Sequence, residues 1–175
     1  MDLAHSANRF ARALDALRPQ LAEPPEIALV LGSGLGSFAD TFTDARSIPY
    51  TEIAGMPMST VPGHAGRLVF GRIGQRRVVA MQGRVHLYEG HDPSLVVFGV
   101  RLMRQLGAHT VVLSNAAGGI RSDLEAGDLM LLDDHLNLTG HNSLCGPNDP
   151  LLGPRFPDMS EVYSRELREH AHACA

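Results

Sequence analysis

The sequence predicts an α/β fold with a central mixed, largely parallel β-sheet flanked by helices. Three observations predict it. Short, wholly apolar runs such as Ile27-Ala28-Leu29-Val30-Leu31 read as strands covered on both faces, the kind found in mainly parallel sheets. Segments with apolar residues at steps of three and four alternate with those runs, as helices do. Two of the strand-like runs open directly into loops of small residues, at 32–37 and 114–119.

In chain order, Leu3, Ala7, Phe10, Leu14, Leu17 and Leu21 keep helical spacing, and Pro24-Pro25 stops that helix. Ile27–Leu31 follows as the first strand. Residues 48–66 are rich in Pro, Gly, Ser and Thr. They carry apolar anchors and no run of charge, so they read as a long ordered loop. Leu68-Val69-Phe70 and Val78-Val79-Ala80-Met81 flank Gly74-Gln75 and predict a hairpin. Residues 94–106 place Leu95, Phe98, Leu102 and Leu106 on one helical face, with Gly107 as the stop. Thr110–Leu113 reads as a second buried strand and 129–132 as a further one. Tyr163, Leu167, Ala171 and Cys174 keep helical spacing with no Gly or Pro to close the pattern. That is the expected mark of a helix interrupted and of a chain that continued, in an ancestor or in the full gene product.

With 175 residues the chain is long enough to take about 70% of its unfolded surface out of water and build one core. Length therefore favours one domain over 1–175. Lys and Arg number 15 and Asp and Glu 19, a net charge of −4 with nine neutral histidines. That balance excludes a nucleic-acid partner held by a basic surface. No apolar run approaches the roughly 20 residues of a membrane span. The amphipathic N-terminus carries Asp2, which excludes a signal peptide. Two cysteines, Cys145 and Cys174, are too few for a disulfide framework and fit a reducing compartment. The expectation is a cytoplasmic enzyme with neither a nucleic-acid nor a membrane partner.

The chemistry is sought at the strand ends. Gly32-Ser33-Gly34 offers bare backbone N–H groups and one hydroxyl to an anion. The dinucleotide glycine pattern fails at Ser37, the P-loop lysine is missing, and a nucleophile elbow would need glycine where Leu31 stands. What survives is a phosphate cradle. Arg84, His86 and Tyr88 fall on one side if the strand ending at Met81 stays extended. An arginine fork and a histidine return to a phosphate the solvation it loses on leaving water. Asn115 adds an amide in a loop where small residues allow close approach. His64 lies in a further Pro-Gly-His-Ala-Gly loop. His86 and His91 lack metal-ligand spacing, and Asp133-Asp134-His135 reads as a solvated strand end rather than a cation site. In open α/β sheets ligands sit beyond the carboxyl ends of the strands, so three polar loops at such ends point to one site.

The segments Leu31-Gly-Ser-Gly-Leu-Gly36, Ser59-Thr-Val-Pro-Gly-His-Ala-Gly66, Gly83-Arg-Val-His-Leu-Tyr-Glu-Gly90, Ser114-Asn-Ala-Ala-Gly-Gly-Ile120 and Gly153-Pro-Arg-Phe-Pro-Asp-Met-Ser160 occur here in order. Together they resemble the trimeric purine nucleoside phosphorylases across nearly the whole chain. The resemblance implies the nucleoside phosphorylase/hydrolase-like fold, without that family's C-terminal part. The implied reaction is phosphorolysis of inosine- or guanosine-like nucleosides to free purine and ribose 1-phosphate. Inorganic phosphate is then the co-substrate, and no cofactor or metal is called for.

Carried over by motif, Arg84 and His86 are the catalytic pair, and Ser33, His64, Arg84, His86 and Ala116 hold phosphate. Tyr88 touches the ribose, Ala116, Ala117 and Gly118 line the base pocket, and Asn115 is a further substrate-binding residue. Phe156 is lent to a neighbouring subunit, which explains an exposed aromatic in a proline-rich loop and implies a homotrimer. The family's purine-binding Glu and Asn, a second phosphate-binding Ser and a His near the ribose 5′-hydroxyl lie beyond the matched segments. Part of the sheet does too, so an exposed edge is expected here. The alternatives are an anion-binding scaffold without turnover, a phosphate-independent nucleosidase, and a methylthioadenosine-type phosphorylase.

Overall fold

The computed structural model describes residues 3–59 and 65–175, with side chains from residue 8 onward. The chain divides into two compact units, residues 1–116 and 117–175.

The first unit is organised on five strands: β1 (Ile27–Leu31), β2 (Thr43–Pro49), β3 (Arg67–Ile73), β4 (Arg76–Gln82) and β5 (Thr110–Leu113), in the order β2-β3-β4-β1-β5. β1 runs parallel to both β4 and β5, while β2-β3 and β3-β4 are antiparallel. The sheet is mixed, as expected. Ile73 pairs with Arg76, so Gly74-Gln75 is the whole turn, and Gly74 takes the positive φ (+57°) that a two-residue hairpin asks of its first central position.

Alternation along β1 sends Leu29 and Leu31 to one face, where they join Ala39, Phe42, Val69, Val78 and Ala80 in a buried cluster. Helices α1 (Leu3–Leu17) and α3 (Phe98–Gln105) pack on each other, with Phe10 and Phe98 stacked at 4.6 Å. Gly99 lets α3 settle onto the sheet, since a Cβ there would lie 2.6 Å from the Met81 methyl carbon.

Several expectations are corrected. The first helix ends at Leu17 rather than at Pro24-Pro25, because Pro19 tightens its last turn into a 3-10 turn over Arg18–Gln20. Residues 94–106 are not one helix: α2 (Pro93–Val96) and α3 meet at a kink where Val97 has ψ near 0°. The loop read over 48–66 begins inside β2, a strand whose polar run Thr43-Asp44-Ala45-Arg46-Ser47 hid it. A bulge between Thr43 and Arg46, with Asp44 at φ +51°, breaks its alternation further. β5, read as a buried strand, pairs with β1 alone among the described residues and is the exposed edge that the resemblance implied. Val111, Val112 and Leu113 are about half exposed.

The second unit contains α4 (Arg165–Cys174), with Ser164 as its N-cap, accepting from the Leu167 N–H. Residues 129–132 form no strand there. Leu129 is 96% exposed, and an apolar run alone makes no ladder without a neighbouring strand to pair with. Asp133 and His135 end no strand either. His135 sits edge-on to Tyr163, and Asp133 approaches Arg168 at 4.0 Å. Among the described residues no helix is long and apolar enough to cross a membrane.

Candidate phosphate and nucleoside site

The parallel strands β4, β1 and β5 end together: Leu31 lies beside Gln82 and Val30 beside Leu113. Three loops therefore start side by side, at Gly83, Gly32 and Ser114. Ser114 joins them. Its Oγ donates to the Val30 carbonyl (3.0 Å) and accepts the Gly32 N–H (2.9 Å), and its own N–H also reaches Val30 O. The Ser114 carbonyl then accepts a guanidinium N–H of Arg84 at 3.0 Å. Gly32 is glycine for a steric reason. A Cβ there would sit 2.7 Å from Ser114 O and 2.8 Å from Asn115 Cα, and neither backbone atom can swing away.

The β4 end is held from the other side. Tyr50, 2% exposed, donates its hydroxyl to the Gly83 carbonyl at 2.6 Å, and Gly83 adopts φ +104° there. Burial pushes the Tyr50 phenol well above its ordinary range, so the hydroxyl keeps the proton it donates. Gly66 N–H donates to Gln82 O, and Tyr50 N–H to Gly66 O.

Beyond Gly83 the extended conformation lasts only to His86. Arg84 and His86 flank the buried Val85, as alternation requires, but residues Leu87–Glu89 form a 3-10 turn closed by Gly90 at φ +84°. Tyr88 is thus placed by a turn rather than by strand register. It still meets His86, the two rings stacking at 4.7 Å with a 14° tilt, and it is 75% exposed. Glu89 shapes this turn: it accepts the His86 N–H at 2.7 Å and the Ser59 hydroxyl at 3.2 Å. A carboxylate closing its own turn in this way restrains the His86 backbone.

The remaining expected residues fall as follows. Ser33 and Asn115 are exposed in the loops after β1 and β5, and Ala116 follows Asn115. Gly34 takes φ +83° with open space around it, so backbone conformation alone requires a glycine there. Ala117 and Gly118 are exposed in the second unit, as is Phe156 at 87%, with the Arg155 guanidinium 5.8 Å from its ring centre. His64 lies outside the described residues. The first unit therefore brings the loops of Ser33, Arg84 with His86, and Asn115 to one end of the sheet. Among the described residues no three metal-ligating side chains gather.

Sequence reasoning gave no role to Ser114, Gln82, Tyr50 or Glu89. Gln82 had a signal, a polar residue closing the apolar run Val78-Val79-Ala80-Met81. Tyr50 had none, since its partner is 33 residues away.

A sequence model of the Phosphorylase superfamily matches residues 26–175. The chain is 50% identical over 166 residues to purine nucleoside phosphorylase 1 of Geobacillus stearothermophilus, covering 94% of this chain and 61% of that protein. It is 50% identical over 152 residues to the Bos taurus purine nucleoside phosphorylase, covering 85% of this chain and 53% of that one. Among solved structures, isoform 2 of the Schistosoma mansoni enzyme in complex with cytosine and ribose-1-phosphate superposes with a TM-score of 0.86 at 40% identity. That match covers 94% of this chain and 59% of the other. The chain thus spans a little over half the length of the curated relatives it matches.

Proposed function

Because the chain belongs to the phosphorylase superfamily, we propose that it carries the phosphate-binding side of a purine nucleoside phosphorylase acting on inosine- or guanosine-like substrates. The observation that carries this reading is the Ser114 junction, which fixes Arg84 over the ends of β1 and β5. Ser33, Arg84, His86 and the backbone at Ala116 would hold the phosphate, with His64 as a further ligand. Tyr88, on its stacked contact with His86, would meet the ribose, and Asn115, Ala116, Ala117 and Gly118 the base.

In the proposed reaction a phosphate oxygen forms a bond to C1′ as the C1′–N glycosidic bond breaks. The electron pair of that bond leaves with the purine nitrogen, which takes up a proton. Positive charge builds on the sugar, as in glycoside cleavage, and the bound phosphate is both nucleophile and counter-charge. Holding it in line gains up to about 7–11 kcal/mol in ideal cases, so no protein nucleophile is required. Phosphate is then a co-substrate, and the chemistry asks for no cofactor. The exposed Phe156 suits a residue lent to a neighbour's ribose, as in a homotrimer. In this reading the chain is a single phosphorylase domain acting in the cytoplasm.

The test follows hypoxanthine release from inosine with and without phosphate. Release that needs phosphate supports phosphorolysis, and release that ignores it favours a nucleosidase. Phosphate that protects against unfolding without any release favours an anion-binding scaffold. Arg84→Ala should weaken phosphate binding at least about tenfold, the loss of a charge-assisted bond, with nucleoside binding little changed. Equal losses in both would overturn the assignment of Arg84.

A further inference from the structure

Gln82 closes β4 and is a buried polar side chain, at 7% exposure. Both ends of its carboxamide are bonded. Nε2 donates to the Gly36 carbonyl at 2.8 Å, and Oε1 accepts from Nε of Arg67, its cross-strand partner in the β3-β4 register. Arg67 in turn reaches Asp40 at 3.7 Å. Since an arginine only donates and a carbonyl only accepts, the amide has one workable orientation. The Gln82 backbone carbonyl accepts the Gly66 N–H at 2.9 Å.

This one residue therefore ties two segments to its own. Gly36 lies three residues after Ser33 on the glycine loop, Gly66 two residues after His64, and Arg84 two residues after Gln82 itself. An apolar side chain of the same size would fill the space with no polar group to satisfy. A buried amide is costly unless its polar ends are bonded, and bonds at both ends fix the arrangement of the neighbours that make them. The geometry points to Gln82 as a positioning residue for phosphate, one that sets the spacing between the glycine loop and Arg84. This inference rests on the phosphate reading above.

The test uses inorganic phosphate as the probe on the 175-residue chain, by calorimetric titration, with amide exchange of the β3-β4 hairpin as the check on folding. Gln82→Met keeps the volume and loses both bonds. Gln82→Glu keeps an acceptor for Arg67 but sets a carboxylate against the Gly36 carbonyl. Both should bind phosphate at least about tenfold more weakly, the loss expected of a buried bond, with hairpin exchange unchanged. A purely structural role would lower hairpin protection and spare the affinity of the folded fraction. Phosphate affinity within about twofold of wild type in both variants overturns the inference and leaves the phosphate reading standing. A wild-type chain that binds no phosphate overturns the reading, and the inference with it.

One measurement needs no variant. Saturating phosphate should shift the Gln82 side-chain amide resonance and slow exchange at the Leu35 and Phe38 amides, which bond within the glycine loop. No change at either position overturns the inference.

Discussion

The two ends of the parallel strands are tied together by different chemistry. Where β1 and β5 begin, Glu26 makes the junction. Its carboxylate accepts the Arg77 N–H and pairs with Arg76 and Arg77 at 3.3 and 3.6 Å, while its carbonyl accepts from His109 and Thr110. Where the strands finish, the same job falls to uncharged groups: the Ser114 hydroxyl, the Tyr50 phenol and the Gln82 amide. The difference has a consequence for function. In the proposed reading no charged ligand binds at the Glu26 end, so charge can serve as scaffolding there. At the other end the Ser114 carbonyl orients Arg84 without cancelling its charge, which the proposed phosphate site would require.

Breaking the uncharged end should cost most. Gly32→Val forces a branched side chain into two backbone atoms of the neighbouring loop. Urea unfolding should show a loss of about 3 kcal/mol, at the upper end for overpacking, with phosphate no longer protecting. A loss under about 1 kcal/mol would mean the loops are less tightly joined than the Ser114 geometry indicates.

Tyr50→Phe is a smaller break. It removes the bond to the buried Gly83 carbonyl and should cost about 1–2 kcal/mol. The folded phenol has a raised pKa, so its contribution is complete below the ordinary phenol range. It is lost as pH rises through that range towards the folded value. Alkaline absorbance titration of the folded chain should therefore lose its last-titrating phenol in the variant, and an unchanged titration curve would refute that placement of Tyr50.

Glu26→Gln sharpens the comparison at the charged end with the smallest effect. The Arg77 N–H, foremost, holds the Glu26 carboxyl below its usual range, with Arg77 and Arg76 charges adding to it. A depressed carboxyl stabilises above its unfolded pKa and loses that contribution as pH falls through the folded one. The variant should be slightly less stable than wild type at neutral pH, and acid titration of thermal unfolding should bring the two curves together. A gap that stays constant with pH would show that the carboxylate charge is not what ties this end.

Much of the first unit was legible because its strands are short and uniformly apolar. Ile27–Leu31 and Thr110–Leu113 fall where the apolar runs begin and end, and Gly74-Gln75 is the turn. β2 was not legible, since an edge strand with a bulge needs no apolar alternation and Thr43-Asp44-Ala45-Arg46-Ser47 has none. The 129–132 run misled for the opposite reason: it has strand composition and no strand beside it. At the candidate site the sequence picked out the loops of Ser33, Arg84, His86 and Asn115 from residue chemistry. Alternation was expected to set Arg84, His86 and Tyr88 on one side, but a turn over Leu87–Glu89 ends it, and a ring contact brings Tyr88 to His86 instead.

The sequence by itself determined the class of fold, the strand ends that carry small and polar loops, and the family resemblance. These depend on local composition and on the order of residues along the chain. Only the tertiary structure decided what holds those loops in place. Ser114 to Gly32, Tyr50 to Gly83 and Gln82 to Gly36 are bonds between residues 33 to 82 positions apart. Each uses a backbone group whose identity no side chain reveals, so the chain had to fold before those partners could be read.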